Sequence, residues 1–246
     1  MLLKNYLRSQ SPLIIDGALA TEMESRGADL HDSLWSAKYL YTQPELIAAV
    51  HTDYLDAGAD VIITASYQAT VQGFMARGWT HAQARAMIRS AATLAISARD
   101  DWWHTQAHPG RLRPLVAGSI GPYGAYTADG GEYRGNYGLS TAELVEFHRE
   151  RIAILVEAGV DLIAFETIPD LHEAIALCIL LEAHPQVSAW MSFSCRGRTT
   201  CAGQSMQHVA ATLAKYTQIH AIGCNCTSPA YIPDLISDLR HATDLP

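Results

Sequence analysis

The sequence lacks an excess of basic residues and a dense cysteine framework. Its 246 residues include 17 Lys and Arg against 25 Asp and Glu, and the net charge of −8 speaks against the clustered basic surface that nucleic acid requires. The 5 cysteines are odd in number and scattered along the chain, unlike those of a small secreted disulfide scaffold. We therefore expect reduced thiols and no nucleic-acid partner.

Long apolar runs are also missing. The longest, 174–181, is far too short to cross a bilayer. The first residues, MLLKNYLRSQSPLIIDG, contain no long apolar stretch followed by a small-residue cleavage site. We therefore expect a soluble, cytoplasmic protein with no membrane partner.

Short apolar runs alternate with longer amphipathic segments along the chain. Their nearly continuous apolar character predicts strands that are covered on both faces, as in a parallel sheet. Six runs fit this description: Leu13–Ile15, Val61–Ala65, Leu115–Gly118, Leu162–Phe165, Val187–Phe193 and Ile219–Gly223. The strand, loop, helix, strand order is typical of βαβ units.

The segments between the strands carry helix-start signals. Pro44 stands at a first helical position and Gly58 at the end of the same segment. In three further segments an acid or amide follows a capping residue by three positions, the spacing of a capping box. The pairs are Thr80 with Gln83, Ser140 with Glu143, and Asp170 with Glu173.

Two stretches, YLDAGADVIITAS (54–66) and LVEAGVDLIAFET (155–167), share a helix, glycine, strand frame. Such repeated units favour an α/β fold of the (β/α)8 TIM-barrel type. An open doubly wound sheet is the alternative, although no G-x-G-x-x-G follows the first strand. About six βα units are present, so we expect an incomplete barrel that lacks strands seven and eight and a chain truncated at its C-terminus.

Active sites of such barrels lie at the carboxyl ends of the strands. The sequence places Asp16-Gly17, 64–68, 119–122, Glu166-Thr167, 194–195 and 225–226 there. Asp16-Gly17 could equally be only a turn. For Glu166 we favour a functional role, because a carboxylate at a strand end requires a cationic or hydrogen-bonding partner.

The loop 121–138, GPYGAYTADGGEYRGNYG, has two interpretations. It contains four tyrosines, six glycines and one arginine. It could be a compact loop that packs on its own aromatic rings. It could instead be a lid whose rings meet a cationic group such as a sulfonium. The length of the loop favours a functional role.

Cys224 and Cys226 form a C-x-C pair at the end of the last strand, where both would point to one face. The pair alone is a weak metal signal, and two small core residues are the usual explanation. Cys178 lies on an amphipathic helix, and Cys195 and Cys201 have no His or Cys neighbour at zinc-ligand spacing, so we interpret all three as structural.

Six motifs together resemble the homocysteine S-methyltransferase family, and most closely the branch that uses S-methylmethionine. They are IIDGALATEMESRG, DSLWSAKYL, ITASYQAT, GSIGPYGAYTADGGEYRGNY, FETIPDLHEA and GCNCTSP. The resemblance covers nearly the whole chain. It implies one homocysteine-binding (β/α)8-barrel domain over 1–246, truncated at its C-terminus.

The resemblance also implies a Zn2+ cofactor held by three cysteine thiolates. One matches Cys226, while Cys224 falls on a variable position of the motif. The other two form a Cys-Cys pair that is not in this sequence. The implied substrate-binding residues are Asp16, Gly17, Trp35, Tyr67, Tyr123, Glu166 and Asn225.

The activity that the resemblance implies is methyl transfer to homocysteine, which gives methionine. The donor would be S-methylmethionine or S-adenosylmethionine, both of which are sulfonium ions. The alternatives are a non-catalytic relative that binds an amino acid but cannot hold zinc, and an unrelated barrel lyase or phosphate-binding enzyme. We expect this polypeptide by itself to be inactive.

Overall fold

The computed structural model describes residues 2–9, 12–31, 34–105 and 108–246. These residues divide into two compact units. Unit 1 is Met1–Ser119 with Ala153–Leu162, and unit 2 is Ile120–Ile152 with Ile163–Pro246. The single domain expected over 1–246 stays a prediction. Within the described ranges, every helix is too short or too polar to cross a membrane.

Helices and strands alternate as the sequence predicts. The strands are β1 Val61–Ile63, β2 Leu115–Ile120, β3 Leu162–Ile168, β4 Ala189–Phe193, β5 Cys195–Arg196, β6 Thr199–Thr200 and β7 Ile219–Cys224. The α-helices are α1 Leu2–Ser9, α2 Leu19–Ser25, α3 Tyr39–Thr42, α4 Pro44–Asp56, α5 Val71–Met75, α6 His81–Thr105, α7 Tyr123–Thr127, α8 Thr141–Glu157, α9 Leu171–Glu182, α10 Met206–Leu213 and α11 Ile232–Ala242. Short 3-10 helices occupy Trp35–Lys38, Gly131–Tyr133 and Pro229–Tyr231.

In unit 1, β1 and β2 pair in parallel, with Val61 opposite Leu115. Helix α6 packs against α4 and α5. The buried face of α6 is rich in alanine, whose small side chain lets neighbouring helices approach closely. The capping box before α6 is confirmed, because the Gln83 side chain accepts from the Thr80 backbone N–H at 2.9 Å and the Gln83 N–H donates to the Thr80 hydroxyl at 3.3 Å.

The first predicted strand, Leu13–Ile15, is reduced to one parallel bridge between Ile15 and Val61. The Ile14 backbone N–H donates instead to the Asp60 carboxylate at 2.9 Å. Ile14 and Ile15 are 52% and 53% exposed. The segment is therefore extended beside β1, but the described residues supply it with too few ladder hydrogen bonds to form a full strand.

In unit 2, β4 lies between β3 and β7 and pairs with both in parallel. The capping box of α8 is confirmed, because Glu143 accepts from both the backbone N–H and the hydroxyl of Ser140. Strands β5 and β6 form a short antiparallel hairpin, which the sequence did not predict. After α11, the Pro246 carbonyl accepts from the Ile222 N–H at 3.0 Å, so the chain returns beside β7.

The capping box predicted for α9 is wrong. Asp170 does cap the helix, since its carboxylate accepts from the His172 N–H at 2.9 Å. Glu173, however, is fully buried, and its carboxylate accepts from the Tyr123 N–H at 2.6 Å. The hydrogen bond of Glu173 with the first residue of α7 takes the place of the second half of the box.

Gly124 is required by a close backbone approach within the loop 121–138. A Cβ atom at this position would lie 2.3 Å from the Gly131 carbonyl carbon and 2.4 Å from the Glu132 nitrogen. Real Cβ atoms do not make such contacts, and backbone cannot move aside as a flexible side chain can. The two short helices of the loop therefore pack together only because residue 124 has no side chain.

We predict that Gly124→Ala destabilises the chain by about 1–3 kcal/mol, through overpacking against fixed backbone. Urea unfolding measures the change. Gly223→Ala is the matched control, because a Cβ atom there would meet nothing within 4 Å, and it should change stability by less than about 0.5 kcal/mol. Equal stability of the two variants would contradict the steric account.

Candidate active site

The carboxyl end of β3 contains a bulge at Glu166-Thr167. Phe165 lies opposite Met191 and Ile168 opposite Phe193, so β3 has one residue more than β4 in this interval. Thr167 has a φ of 58° and is 2% exposed. A β-branched residue rarely adopts this left-handed conformation, and such strain persists only where surrounding contacts hold it.

Asn225 supplies those contacts. Its carboxamide oxygen accepts from the Thr167 backbone N–H at 2.8 Å, and its amide nitrogen donates to the Thr167 hydroxyl at 2.9 Å. The backbone N–H of Asn225 itself donates to the Phe193 carbonyl at 3.1 Å. One side chain thus joins the end of β3 to the chain after β7, and both polar ends of its carboxamide are used.

Cys226 follows directly, with a left-handed φ of 47° and an exposed side chain. Its sulfur lies 3.6 Å from the Thr167 hydroxyl and 3.7 Å from the Asn225 amide nitrogen. An amide nitrogen can only donate, so the Thr167 hydroxyl accepts from Asn225 and directs its own proton to the sulfur. Two donors therefore face the Cys226 sulfur.

The two thiols of the C-x-C pair do not share a face, contrary to the sequence-based expectation. Strand β7 ends at Cys224, which pairs with Phe193 in the sheet, whereas Cys226 lies beyond the strand in its left-handed turn. Cys224 is half-buried, and burial raises the pKa of its thiol. The thiol of Cys226 is therefore exposed, whereas the thiol of Cys224 belongs to a strand and is half-buried.

The other three cysteines were predicted to be structural. Cys178 and Cys195 are buried, and burial raises the pKa of each thiol to about 12. Cys201 is half-buried in the turn after β6.

Tyr133 is a site residue that the sequence analysis missed. Burial and, after it, the neighbouring Cys226 thiol raise the pKa of Tyr133 to about 12, so the phenol lies beside the Cys226 sulfur. The preceding residue is also fixed, because the Ser194 hydroxyl donates to the Glu132 carbonyl at 2.6 Å. Nothing in the sequence distinguishes Tyr133 from the other tyrosines of its loop.

The other loop tyrosines pack with one another. Tyr123 lies 5.7 Å from Tyr126, 5.3 Å from Tyr137 and 4.9 Å from Phe147 between ring centroids. For these three rings, the interpretation of a loop packed on its own aromatics is confirmed. Tyr123, expected near the donor, is half-buried in this cluster.

Glu166 is half-buried at the bulge, one residue before Thr167. Three of the strand-end residues predicted in unit 2 thus come from two neighbouring segments, Glu166 from β3 and Asn225 and Cys226 from the chain after β7. Within the described ranges there is no group of three or more His, Cys, Asp or Glu side chains that could hold a metal ion. Cys226 is a metal-ligand candidate by itself.

In unit 1, Asp16 is 9% exposed beside β1. One carboxylate oxygen accepts from the Ile63 N–H at 2.8 Å, and the other has no hydrogen-bond partner among the described residues. Burial outweighs these hydrogen bonds and raises the pKa of Asp16 to about 7. The site would therefore favour a cationic partner for this carboxylate.

The neighbours of Asp16 show why glycine follows it. A Cβ atom on Gly17 would lie 2.7 Å from the phenol oxygen of Tyr54. Tyr67 is half-buried between β1 and α5. Trp35 begins a 3-10 helix, and its side chain lies outside the described residues.

The strand ends of unit 1 also carry a network of buried hydroxyls. Ser66 donates to the Ser119 carbonyl at 2.7 Å and accepts from Thr64 at 2.7 Å, while the Ser119 N–H donates to Thr64 at 2.9 Å. The Thr64 and Ser66 hydroxyls therefore join the ends of β1 and β2 through the Ser119 backbone, whereas the buried Ser119 hydroxyl has no hydrogen-bond partner among the described residues.

A family model described as homocysteine S-methyltransferase matches residues 13–246. The chain belongs to the homocysteine S-methyltransferase family. Homocysteine S-methyltransferase YbgG of Bacillus subtilis is 49% identical over 246 residues, and the homocysteine S-methyltransferase of Escherichia coli is 47% identical over 245 residues. In both comparisons 99% of this chain is covered and 78% of the relative.

The fold of this homocysteine S-methyltransferase family member is likewise confirmed. The metallated form of the homocysteine methyltransferase MmuM from Escherichia coli superposes with a TM-score of 0.94 at 46% identity, covering 99% of this chain and 84% of that chain. The apo form of MmuM superposes with a TM-score of 0.83. The expected α/β barrel class and the enzyme class predicted from the motifs are therefore confirmed.

We predict that Asp16→Asn stabilises the chain increasingly as the pH rises. Because its pKa is raised, Asp16 stays protonated in the folded state between about pH 4 and pH 7, whereas the unfolded state releases the proton. The free energy of unfolding therefore falls as the pH rises through this range. Asparagine removes this loss, by up to about 4 kcal/mol at pH 8 and by much less at pH 5.

Urea unfolding at both pH values measures the difference. Asp101→Asn, at an exposed position on α6, is the control and should show no pH-dependent gain. A stabilisation by Asp16→Asn that is the same at pH 5 and pH 8 would contradict the burial of a carboxylate with a raised pKa.

Proposed function

We propose that this chain belongs to a zinc-dependent enzyme that moves a methyl group from a sulfonium donor to the thiolate of homocysteine, giving methionine. The donor is S-methylmethionine or S-adenosylmethionine. The observation that carries the proposal is the exposed Cys226 sulfur, which Thr167 and Asn225 hold at the strand ends.

Cys226 fits a metal ligand of the thiolate type. Its sulfur is exposed, and the donors around it can stabilise negative charge. Zinc, when bound, supplies a Lewis acid that keeps the homocysteine sulfur as a thiolate at neutral pH. This sequence contributes one such ligand, and the family's Cys-Cys pair does not occur in it.

The carboxylates bind and orient the amino acid in this proposal. Asp16 is buried with one oxygen without a hydrogen-bond partner in the described structure, so an ammonium group would neutralise it and complete its hydrogen bonding. Glu166 is the carboxylate that we assign, from the family resemblance, to the homocysteine amino group. Gly17 has no side chain, and the phenol of Tyr54 occupies the place where one would lie.

The sulfonium donor carries a positive charge, which aromatic faces attract. Tyr133 is the loop ring that contacts Cys226, so we add it to the donor residues proposed from the family, Trp35, Tyr67 and Tyr123. Asn225 is proposed as substrate-binding by the same resemblance. Its carboxamide is already bonded at both ends to Thr167, which supports a role in holding the site as well.

Methyl transfer between two sulfur atoms requires no proton transfer at the moment of reaction. The thiolate attacks the methyl carbon and the thioether leaves with the electron pair of the broken bond. The residues of this chain would therefore contribute orientation and charge compensation rather than a general base.

We predict that the purified 246-residue chain binds zinc weakly and forms little methionine, because it supplies one thiolate where a catalytic zinc site has three protein ligands. Metal analysis after dialysis and methionine formation from homocysteine and S-methylmethionine measure both properties. Tight one-to-one zinc with normal turnover would contradict this. A longer polypeptide that also carries the family's Cys-Cys pair tests the non-catalytic alternative. Binding of the amino acid by that polypeptide without methionine formation would favour this alternative.

We predict that the two thiols of the C-x-C pair differ in a polypeptide that also carries the family's Cys-Cys pair. Cys226→Ser should abolish zinc retention, because it removes an exposed ligand. Cys224→Ser should leave most of the zinc, because Cys224 belongs to β7. Equal loss of zinc in both variants, measured by metal analysis of the folded proteins, would refute the assignment.

A further inference from the structure

Unit 2 contains a buried polar cluster that the proposed chemistry does not use. Arg151 and His148 belong to α8 and Glu173 to α9, and their exposed fractions are 2%, 0% and 0%. The Arg151 guanidinium lies 2.8 Å from His148 Nδ1, and His148 Nε2 lies 2.8 Å from Glu173 Oε1. Ions buried this deeply are retained only when they are paired.

The proton positions in this cluster follow from the chemistry of its ends. A guanidinium group can only donate, so His148 Nδ1 accepts and the ring proton is on Nε2, which donates to Glu173. His148 is therefore neutral, in agreement with burial, which lowers its pKa. A neutral ring thus links a buried cation to a buried anion.

Both ends of the cluster bind the start of the loop 121–138. Arg151 donates to the Gly121 carbonyl at 2.6 Å, and the Tyr123 N–H donates to Glu173 Oε1 at 2.6 Å. From there the contacts continue to the other side of the loop, since Gly124 packs on the Gly131 backbone. Glu132 and Tyr133 follow directly, and Tyr133 contacts Cys226.

We propose that Glu173, with His148 and Arg151, is a positioning residue of the enzyme. It fixes the first turn of the loop 121–138 and thereby places Tyr133 beside Cys226. Only the importance of Tyr133 for catalysis depends on the proposed function. The anchoring of the loop can be tested without zinc, substrate or turnover.

The first readout is hydrogen exchange of the 246-residue chain, resolved to peptides. Glu173→Leu removes the acceptor of both hydrogen bonds, so amide exchange in 121–138 should rise at least ~10-fold more than in α6. Glu173→Gln keeps an acceptor oxygen at the same place and should restore protection to within ~3-fold of the parent chain. Leu177→Ala creates a cavity in the same helix and controls for general loosening of unit 2. It should not raise amide exchange in 121–138 more than in the rest of unit 2.

Loss of the Glu173 carboxylate near the buried Arg151 guanidinium could prevent Glu173→Leu from folding. The double variant Glu173→Leu with Arg151→Met removes both charges, and such apolar replacements of buried ion pairs often preserve stability. It also removes both loop anchors. It should therefore unfold near the parent's urea midpoint while exchange in 121–138 remains at least ~10-fold raised.

The second readout is labelling of Cys226 by a bulky maleimide, followed by peptide mapping. Release of Tyr133 should make labelling faster in the double variant, and Tyr133→Ala should do the same while leaving exchange at 121–127 unchanged. Normal exchange in 121–138 for the double variant, or exchange raised equally throughout unit 2, would overturn the proposal. So would unchanged labelling of Cys226 when the loop exchange is raised.

Discussion

Asn225 bonds at both ends of its carboxamide to Thr167, and the geometry of the candidate site depends on these two hydrogen bonds. They hold a β-branched residue in a left-handed conformation at the bulge of β3. Such a conformation costs of order 1–3 kcal/mol and requires compensation from its surroundings. In this conformation the Thr167 hydroxyl directs its proton at the Cys226 sulfur, which lies outside β7 and is exposed.

Each unit adds one further feature. Tyr133 approaches Cys226 from the loop 121–138, whose start is bound by Glu173 and Arg151. In unit 1, burial leaves Asp16 as a carboxylate with one oxygen without a hydrogen-bond partner in the described structure and with a pKa of about 7. The family identity and these features support the proposed binding of an amino acid through its ammonium group and of a sulfonium donor.

Much of the fold could be predicted from the sequence, because the strands are apolar runs and the helices carry local start signals. Thr80 and Ser140 start helices through contacts three residues away, and such contacts can be read from spacing. Glu173 could not be assigned this way, because its partners Tyr123 and His148 are distant in sequence and only the fold brings them near. The same holds for Tyr133, which resembles its neighbouring tyrosines until the loop is folded. The separation of Cys224 from Cys226 depends on one left-handed φ angle, for which a cysteine gives no signal.

The central claim is that Asn225 and Thr167 present the Cys226 sulfur outward while the other thiols belong to strands, helices or turns. Cysteine-resolved alkylation of the folded chain, followed over time by mass spectrometry, measures this most directly. The account predicts that Cys226 reacts first, that Cys224 and Cys201 follow, and that Cys178 and Cys195 react only after unfolding. Faster reaction of Cys224 than of Cys226 in the native chain would contradict it.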